Sequence, residues 1–317
     1  MTRYAAHHET QYGYRAPVDI GVHLLRLTPL STTGQRSVSQ TLTIAPRPAR
    51  MEAFRDHFGN GVHYVCVEAI HDEFLVTLDA EVDVERASVS GDGPPWEEIR
   101  DAMRNDGFPT PSGVAEFVYA SPLAFPEEIA TAYALESFEN GRAIVPAARD
   151  LVARIHSDFA YTPNLTNVTT RVAEVIALRQ GVCQDFAHLM IAGLRGLGLP
   201  AKYVSGYVYT RSGDEEGARQ GGDASHAWVS VWCGEDLGWI EFDPTNNLLV
   251  ENEHIVLAYG RDFLDATPLR GVILGGGQHT LKVAVAVKNL DAIRSTATGP
   301  QDSGGSLNPP AKRTSAR

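Results

Sequence analysis

The sequence predicts an α+β protein, and three observations carry that prediction. Short segments rich in Val, Ile, Leu and Thr, separated by turns, fill the first 85 or so residues. Helical patterning replaces them from Trp96 to about Phe159. A single apolar helix that begins at Cys183 is then followed by three strand-like segments.

The early segments are VHLLRLTPL, SVSQTLTIAP, GVHYVCVEAI and EFLVTLDAEVDV, with Gly59-Asn60-Gly61 among the turn residues between them. They read as a small antiparallel sandwich or sheet. SGDGPP marks a boundary near residue 90. In the helical stretch, Pro126-Glu127-Glu128 suits a first turn, because proline is tolerated there and acids complement the dipole. Arg149 to Phe159 reads as a further helix, and YTPNLTNVTT breaks it. Thr170 is placed to cap the short helix RVAEVIALRQ.

In CQDFAHLMIAGLRGLG, the residues Phe186, Leu189, Met190, Gly193, Leu194 and Leu197 fall on one helical face. Gly196, Gly198 and Pro200 end that helix. The strand segments AKYVSGYVYT, HAWVSVWC and GWIEFDP follow, the first two separated by a Gly-rich acidic loop from Arg211 to Ala224. That loop reads equally as a substrate-selecting flap and as a solvated connection. Gly275-Gly276-Gly277 precedes a strand, LKVAVAVKNL, whereas a phosphate cradle should precede a helix, so a backbone turn is the reading. The division expected is a β-rich domain over 1–90, a core with its preceding helices over 91–270, a closing β segment over 271–294 and a disordered tail over 295–317.

Composition narrows the function. The formal net charge is −12 and no long Lys/Arg run appears. Binding to nucleic acid or to an anionic membrane surface is therefore disfavoured. No apolar run reaches the length of a membrane span, and the N-terminus lacks the basic start and apolar core of a signal peptide, so a cytoplasmic location is expected. Three cysteines, Cys66, Cys183 and Cys233, suggest neither a disulfide framework nor a zinc site with paired ligands. His57, His63 and His71 have no ligand spacing. No metal and no cofactor is expected.

Cys183 stands at the first turn of the buried helix, where unpaired N–H groups and the dipole favour a thiolate. Those N–H groups could also receive an oxyanion. The plainer alternative is a small buried residue at a helix start. Asp185 reads either as a helix-terminal carboxylate or as an orienting group, and Gln184 could face a substrate. His226 opens one strand, Asp243 closes the next, and GEDLG between them is short enough for a hairpin. The two side chains are then neighbours within about two residues of register. That lets a carboxylate hold one ring nitrogen while the other faces a nucleophile. His226 and Cys233 differ by an odd number of positions, so Cys233 points away and reads as structural, as does Cys66. Trp228 and Trp232 share the strand face of His226.

The blocks RQGVCQDFAHLMIAGLRGLGLPAKYVSGY, DASHAWVSVW and GWIEFDPTNN closely resemble the bacterial transglutaminase-like family. The resemblance covers roughly Phe159 to Asn247. The first 85 residues are similar to that family's β-rich N-terminal region, and LRGVILGGGQHTLKVAVAV to its usual ending. It implies a papain-like, transglutaminase-like core in which a Cys-bearing helix packs on an antiparallel sheet bearing His and Asp. Cys183 would be the nucleophile, His226 the general base and acid, and Asp243 the orienting carboxylate. Tyr161 is a candidate second oxyanion donor. The resemblance implies attack on a protein or peptide amide through a thioester. Hydrolysis, as a cysteine peptidase or amidase, is the leading expectation. Acyl transfer from glutamine to an amine is the first alternative, and a non-catalytic protein-binding module is the second.

Overall fold

The computed structural model describes residues 1–104, 113–210, 220–221 and 225–292. The chain opens with five strands: β1 (Thr2–Leu25), β2 (Gln35–Ala45), β3 (Arg50–Arg55), β4 (Gly61–Val67) and β5 (His71–Val84). Helices α1 (Trp96–Arg104), α2 (Glu128–Leu135) and α3 (Ile144–Asp158) follow, then β6 (Ala160–Tyr161), α4 (Val172–Leu178), β7 (Gln180–Gly181) and α5 (Cys183–Gly196). Next come β8 (Ala201–Val208), β9 (His226–Trp232), β10 (Trp239–Asp243), β11 (Leu248–Leu249) and β12 (His254–Gly260). The short α6 (Phe263–Ala266) leads to β13 (Leu269–Gly275) and β14 (His279–Asn289).

The 24-residue β1 is the spine of a seven-stranded sheet. Its first half lies between β5 and β14, and its second half between β4 and β13. The closing strands thus return to the N-terminal sheet. Two features depart from the sequence reading. Strand structure begins at Thr2 rather than near Val22, and β3 forms from an exposed segment with no apolar alternation. The helix expected from Arg149 begins five residues earlier, at Ile144. Thr170 does not cap α4. Arg171 takes the capping position without a side-chain bond. The expected tail and most of the Arg211–Ala224 loop lie outside the described residues.

The second sheet is antiparallel, in the order β11-β10-β9-β8-β12. Helix α5 packs on it, and all but two of its residues are buried. Leu189, Met190, Leu194, Val229 and Val231 are at most 1% exposed, so this core excludes water. Each such side chain contributes about 1.5–3 kcal/mol of burial free energy.

Strand β12 would be an open edge, with unpaired backbone groups on its outer side. Two amides from the N-terminal region close it. Gln35 Nε2 donates to the Val256 carbonyl and Gln35 Oε1 accepts the Val256 N–H; Asn60 does the same for Tyr259. Tyr207, Ile255 and Leu257 join the core of the first sheet. The two sheets therefore share apolar packing, and the strand that begins at His254 is fixed from both sides.

Candidate active site

Helix α5 starts at Cys183 because Val182, with φ −123° and ψ 179°, is still extended. Asp185 fixes that start. Its Oδ2 accepts the Val182 N–H at 2.8 Å and the Thr166 hydroxyl at 2.6 Å. Val182 has no side-chain oxygen, so only the carboxylate half of a capping box exists. Burial pushes the Asp185 carboxyl above its ordinary range, while those two hydrogen bonds pull the other way. Asp185 is a helix-terminal carboxylate first. Gln184 points its amide toward the Val168 carbonyl at a long 3.5 Å.

Phe242 pairs with Val229 in the β9–β10 hairpin, which sets Asp243 close to the start of β9. His226 Nε2 donates to Asp243 Oδ2 at 2.8 Å, and both side chains are fully buried. The Cys183 thiol is a further hydrogen-bonding neighbour of the His226 ring. Burial disfavours the imidazolium, but the charge and hydrogen bond of Asp243 outweigh it, with help from the Cys183 thiol beside the ring. The net effect raises the His226 pKa above its ordinary value. The sequence brought these three residues together, and here they meet.

Among the described residues, five hydrogen bonds reach Asp243. Oδ1 takes the backbone N–H groups of Thr245 and Asn246 at 2.9 and 3.1 Å. Oδ2 takes His226, the Asn246 side-chain amide at 2.8 Å and His254 Nε2 at 3.0 Å. Burial would raise this carboxyl, but the charge of His226 and the hydrogen bonds from the two imidazoles hold it well below the usual range. His226, Asp243 and His254 lie near enough to hold a metal ion. Their separations of 2.8 and 3.0 Å are ordinary hydrogen-bond lengths, and three donors other than the imidazoles also bind the carboxylate.

The walls are aromatic and tight. Trp228 stacks on His226 with centroids 6.0 Å apart and donates Nε1–H to Glu241 at 3.0 Å. Gly221, at φ +86°, lies so close that a Cβ there would stand 2.5 Å from His226 Nδ1. Asn246 ties this segment down, accepting the Gln220 N–H at 2.9 Å. Tyr161 lies on β6 near Cys183, Asp185 and Asp243. Burial first, and those acidic neighbours second, push its phenol up to about 12, so it stays a donor at neutral pH. Cys233 is fully buried, with a thiol pushed up to about 12 by burial. Cys66 sits in β4 opposite Val22. His57 bonds Glu116, and His71 bonds the Ala69 carbonyl.

Sequence reasoning missed Asn246 and His254. A signal existed for each. Asn246 follows Asp243 in a tight polar turn, and His254 heads an apolar strand just as His226 does.

Comparison with known proteins bears on the fold and the family. Residues 4–83 match the bacterial transglutaminase-like N-terminal region, and residues 131–244 match the transglutaminase-like superfamily. An uncharacterized protein of Mycobacterium tuberculosis is 40% identical over 289 residues, covering 88% of this chain and 90% of that one. The crystal structure of a "putative cysteine protease" from Cytophaga hutchinsonii superposes with a TM-score of 0.72 at 23% identity, over 92% of this chain and 91% of that one. A protein-glutamine gamma-glutamyltransferase of Pseudomonas aeruginosa is 32% identical over 111 residues, 30% of this chain and 15% of that protein. The fold and the aligned core define an enzyme of the cysteine-protease or transglutaminase type. The chain belongs to the bacterial transglutaminase-like family. No helix among its described residues is long and apolar enough to cross a membrane.

Proposed function

We propose that the protein hydrolyses an amide bond of a protein or peptide, with Cys183 as nucleophile, His226 as general base and acid, and Asp243 as orienting carboxylate. The observation that carries this reading is the buried 2.8 Å bond from His226 Nε2 to Asp243 Oδ2, with the thiol of Cys183 beside the same ring at the start of α5.

His226 takes the Cys183 proton, and the thiolate is stabilised by the helix N-terminus. The sulfur adds to the carbonyl carbon, forming a C–S bond. The oxyanion is received by the Cys183 backbone N–H and, as a second donor, the Tyr161 hydroxyl. Collapse breaks the C–N bond, and the amine leaves with the proton from His226. Water then attacks the thioester while His226 accepts its proton, releasing the carboxylic acid and the thiol.

Transfer to an amine in place of water is the second reading, favoured by the likeness of the core to a protein-glutamine gamma-glutamyltransferase. Iodoacetamide labelling of folded protein near neutral pH tests the shared premise. Labelling at Cys183 should be fast, and should slow in His226→Ala. Equal, slow labelling of an accessible Cys183 would sink the reading. Incorporation of a labelled primary amine into a glutamine-containing protein separates transfer from hydrolysis.

A further inference from the structure

The oxygen of Asp243 that binds His226 is also bound from another side, and nothing in the thioester chemistry above requires that second imidazole. His254 Nε2 lies 3.0 Å from Asp243 Oδ2, and His254 is 1% exposed. An ionised carboxylate is acceptor only, so Nε2 carries the proton and donates. The ring is held edge-on against Trp228, with centroids 5.0 Å apart and planes at 74°, and Trp228 also stacks on His226. The strand beneath it is fixed by Gln35 at Val256 and by Asn60 at Tyr259. His254 is thus placed by the N-terminal sheet as well as by its own.

We propose that His254 is a positioning residue of this site: by donating Nε2–H to the oxygen that also holds His226, it fixes the Asp243 carboxylate and tempers its pull on the His226 proton. The proposal rests on the thiol–imidazole reading above. The reasoning is geometric. Oδ1 is anchored by two backbone N–H groups. Oδ2 is anchored by Asn246 and by two imidazoles. Rotation of the carboxylate about its Cβ–Cγ bond would break all of these contacts together. Each donor also spreads the negative charge, so an Asp243 relieved of His254 would grip the imidazolium of His226 more tightly. Among the described residues, the other titratable and charged groups around this cluster include Cys183, Tyr161 and Asp185 on the nucleophile side, Arg86, which donates to the His254 carbonyl, and Glu241, which accepts from Trp228. On the far side of His254 lies a cavity whose wall includes Arg149, Glu251 and Glu253.

The test is the rate of Cys183 alkylation by iodoacetamide as a function of pH, measured on the full chain for wild type, His226→Ala, His254→Phe and His254→Gln. Circular dichroism confirms that each variant is folded. His254→Phe keeps a ring against Trp228 but donates nothing. It should alkylate about tenfold more slowly at neutral pH, because a carboxylate free to turn no longer holds the His226 ring toward the thiol, an effect the size of one hydrogen bond to a buried charge. Its alkaline midpoint, where His226 loses its proton, should move to higher pH. His254→Gln, whose Nε2 can reach the same oxygen, should restore most of the rate and return the midpoint toward wild type. Folded His254→Phe with the wild-type rate and midpoint, beside a slow His226→Ala, overturns the role of His254 alone. His226→Ala that labels like wild type overturns the thiol–imidazole reading itself. Nitrogen-15 histidine NMR of the unmutated protein needs no variant to fold. Two imidazole N–H protons shifted downfield by a shared carboxylate support the proposal, and a single one overturns it.

Discussion

Gly206 lies directly opposite His226 in the β8–β9 pairing, and it has no room for a side chain. A Cβ at position 206 would stand 2.1 Å from the Ile255 carbonyl oxygen and 2.4 Å from the Trp228 ring. Backbone oxygen cannot retreat without opening the β8–β12 pairing. Gly206→Ala should therefore displace Trp228 and β12 together, and with them the walls of His226. Overpacking of this kind costs about 1–3 kcal/mol. Urea denaturation should show a lowered midpoint, and alkylation of Cys183 should slow. An unchanged midpoint would mean that the sheet yields more easily than this contact implies.

Asn246 joins the Gln220–Gly221 segment to Asp243, accepting from Gln220 while donating to the carboxylate. Asn246→Ala leaves one acceptor position of a buried charge unsatisfied and releases the segment. The expected loss in kcat/KM is about tenfold, in keeping with about 1–3 kcal/mol for such a bond. Asn246→Asp is the sharper probe. It keeps the shape but sets a second carboxylate 2.8 Å from Asp243. Like charges so close disfavour joint ionisation. Activity should fall further than in the alanine variant, and recover partly as the pH is lowered. A pH profile parallel to wild type would refute this account.

The legibility of the fold followed the physics of each segment. Helix α5 was readable because its apolar face repeats without interruption and ends in Gly and Pro. The His226–Asp243 pairing was readable because a short hairpin leaves little freedom of register. The first half of β1 was not, since its inward positions are Tyr4, Ala6, His8 and Thr10, whose alternation is of burial rather than hydrophobicity. His8 is accommodated there by bonds to Thr10 and to Tyr207 of another strand, which no local pattern reveals. Strand β3 is exposed at every position and owes its form to β4 alone. His254 reaches Asp243 only through the crossover that places β12 beside β8, so its part in the site is a property of topology.

Acid should destabilise the protein before its carboxylates titrate. Burial holds His8 and His23 down to about 4 from an ordinary 6.5, with the charges of His7 and His71 adding to it. A base whose folded pKa lies below its unfolded value binds protons more readily when unfolded, so stability rises with pH. This contribution is full above about pH 6.5 and drains away as the pH falls toward 4. His226 does not offset the loss. Its raised folded pKa gives a contribution already complete below 6.5 and lost only on the alkaline side. Asp243 holds its share down to below 3.8. The Tm should therefore be clearly lower at pH 5 than at pH 7. Among the described residues neither ring nitrogen of His23 has a hydrogen-bond partner, and the ring stacks on Phe74 with centroids 4.0 Å apart. His23→Phe retains that stack and should narrow the gap between the two temperatures. A gap as wide as in wild type would remove His23 from the explanation.

Cys183→Ala and Asp243→Ala should both abolish turnover, yet they should differ sharply in stability. The Cys183 side chain is buried in the core cluster around α5, and alanine there removes one sulfur at a helix start. The expected cost is about 1 kcal/mol, ordinary for a single substitution. Asp243→Ala strips the fully buried acceptor from five donors at once, two backbone N–H groups, an amide and two imidazoles. Breaking a buried charged network by removing one partner costs about 3–5 kcal/mol. Asp243→Asn should fall between the two, since its oxygen can still accept while its amide faces donors it cannot satisfy. Thermal melts of the three variants at pH 7 rank these costs. Cys183→Ala melting near wild type, with Asp243→Ala far below, would show that the carboxylate organises the interior around it while the thiol is there for chemistry. Equal melting temperatures would show that the hydrogen-bond network around Asp243 is dispensable to the fold.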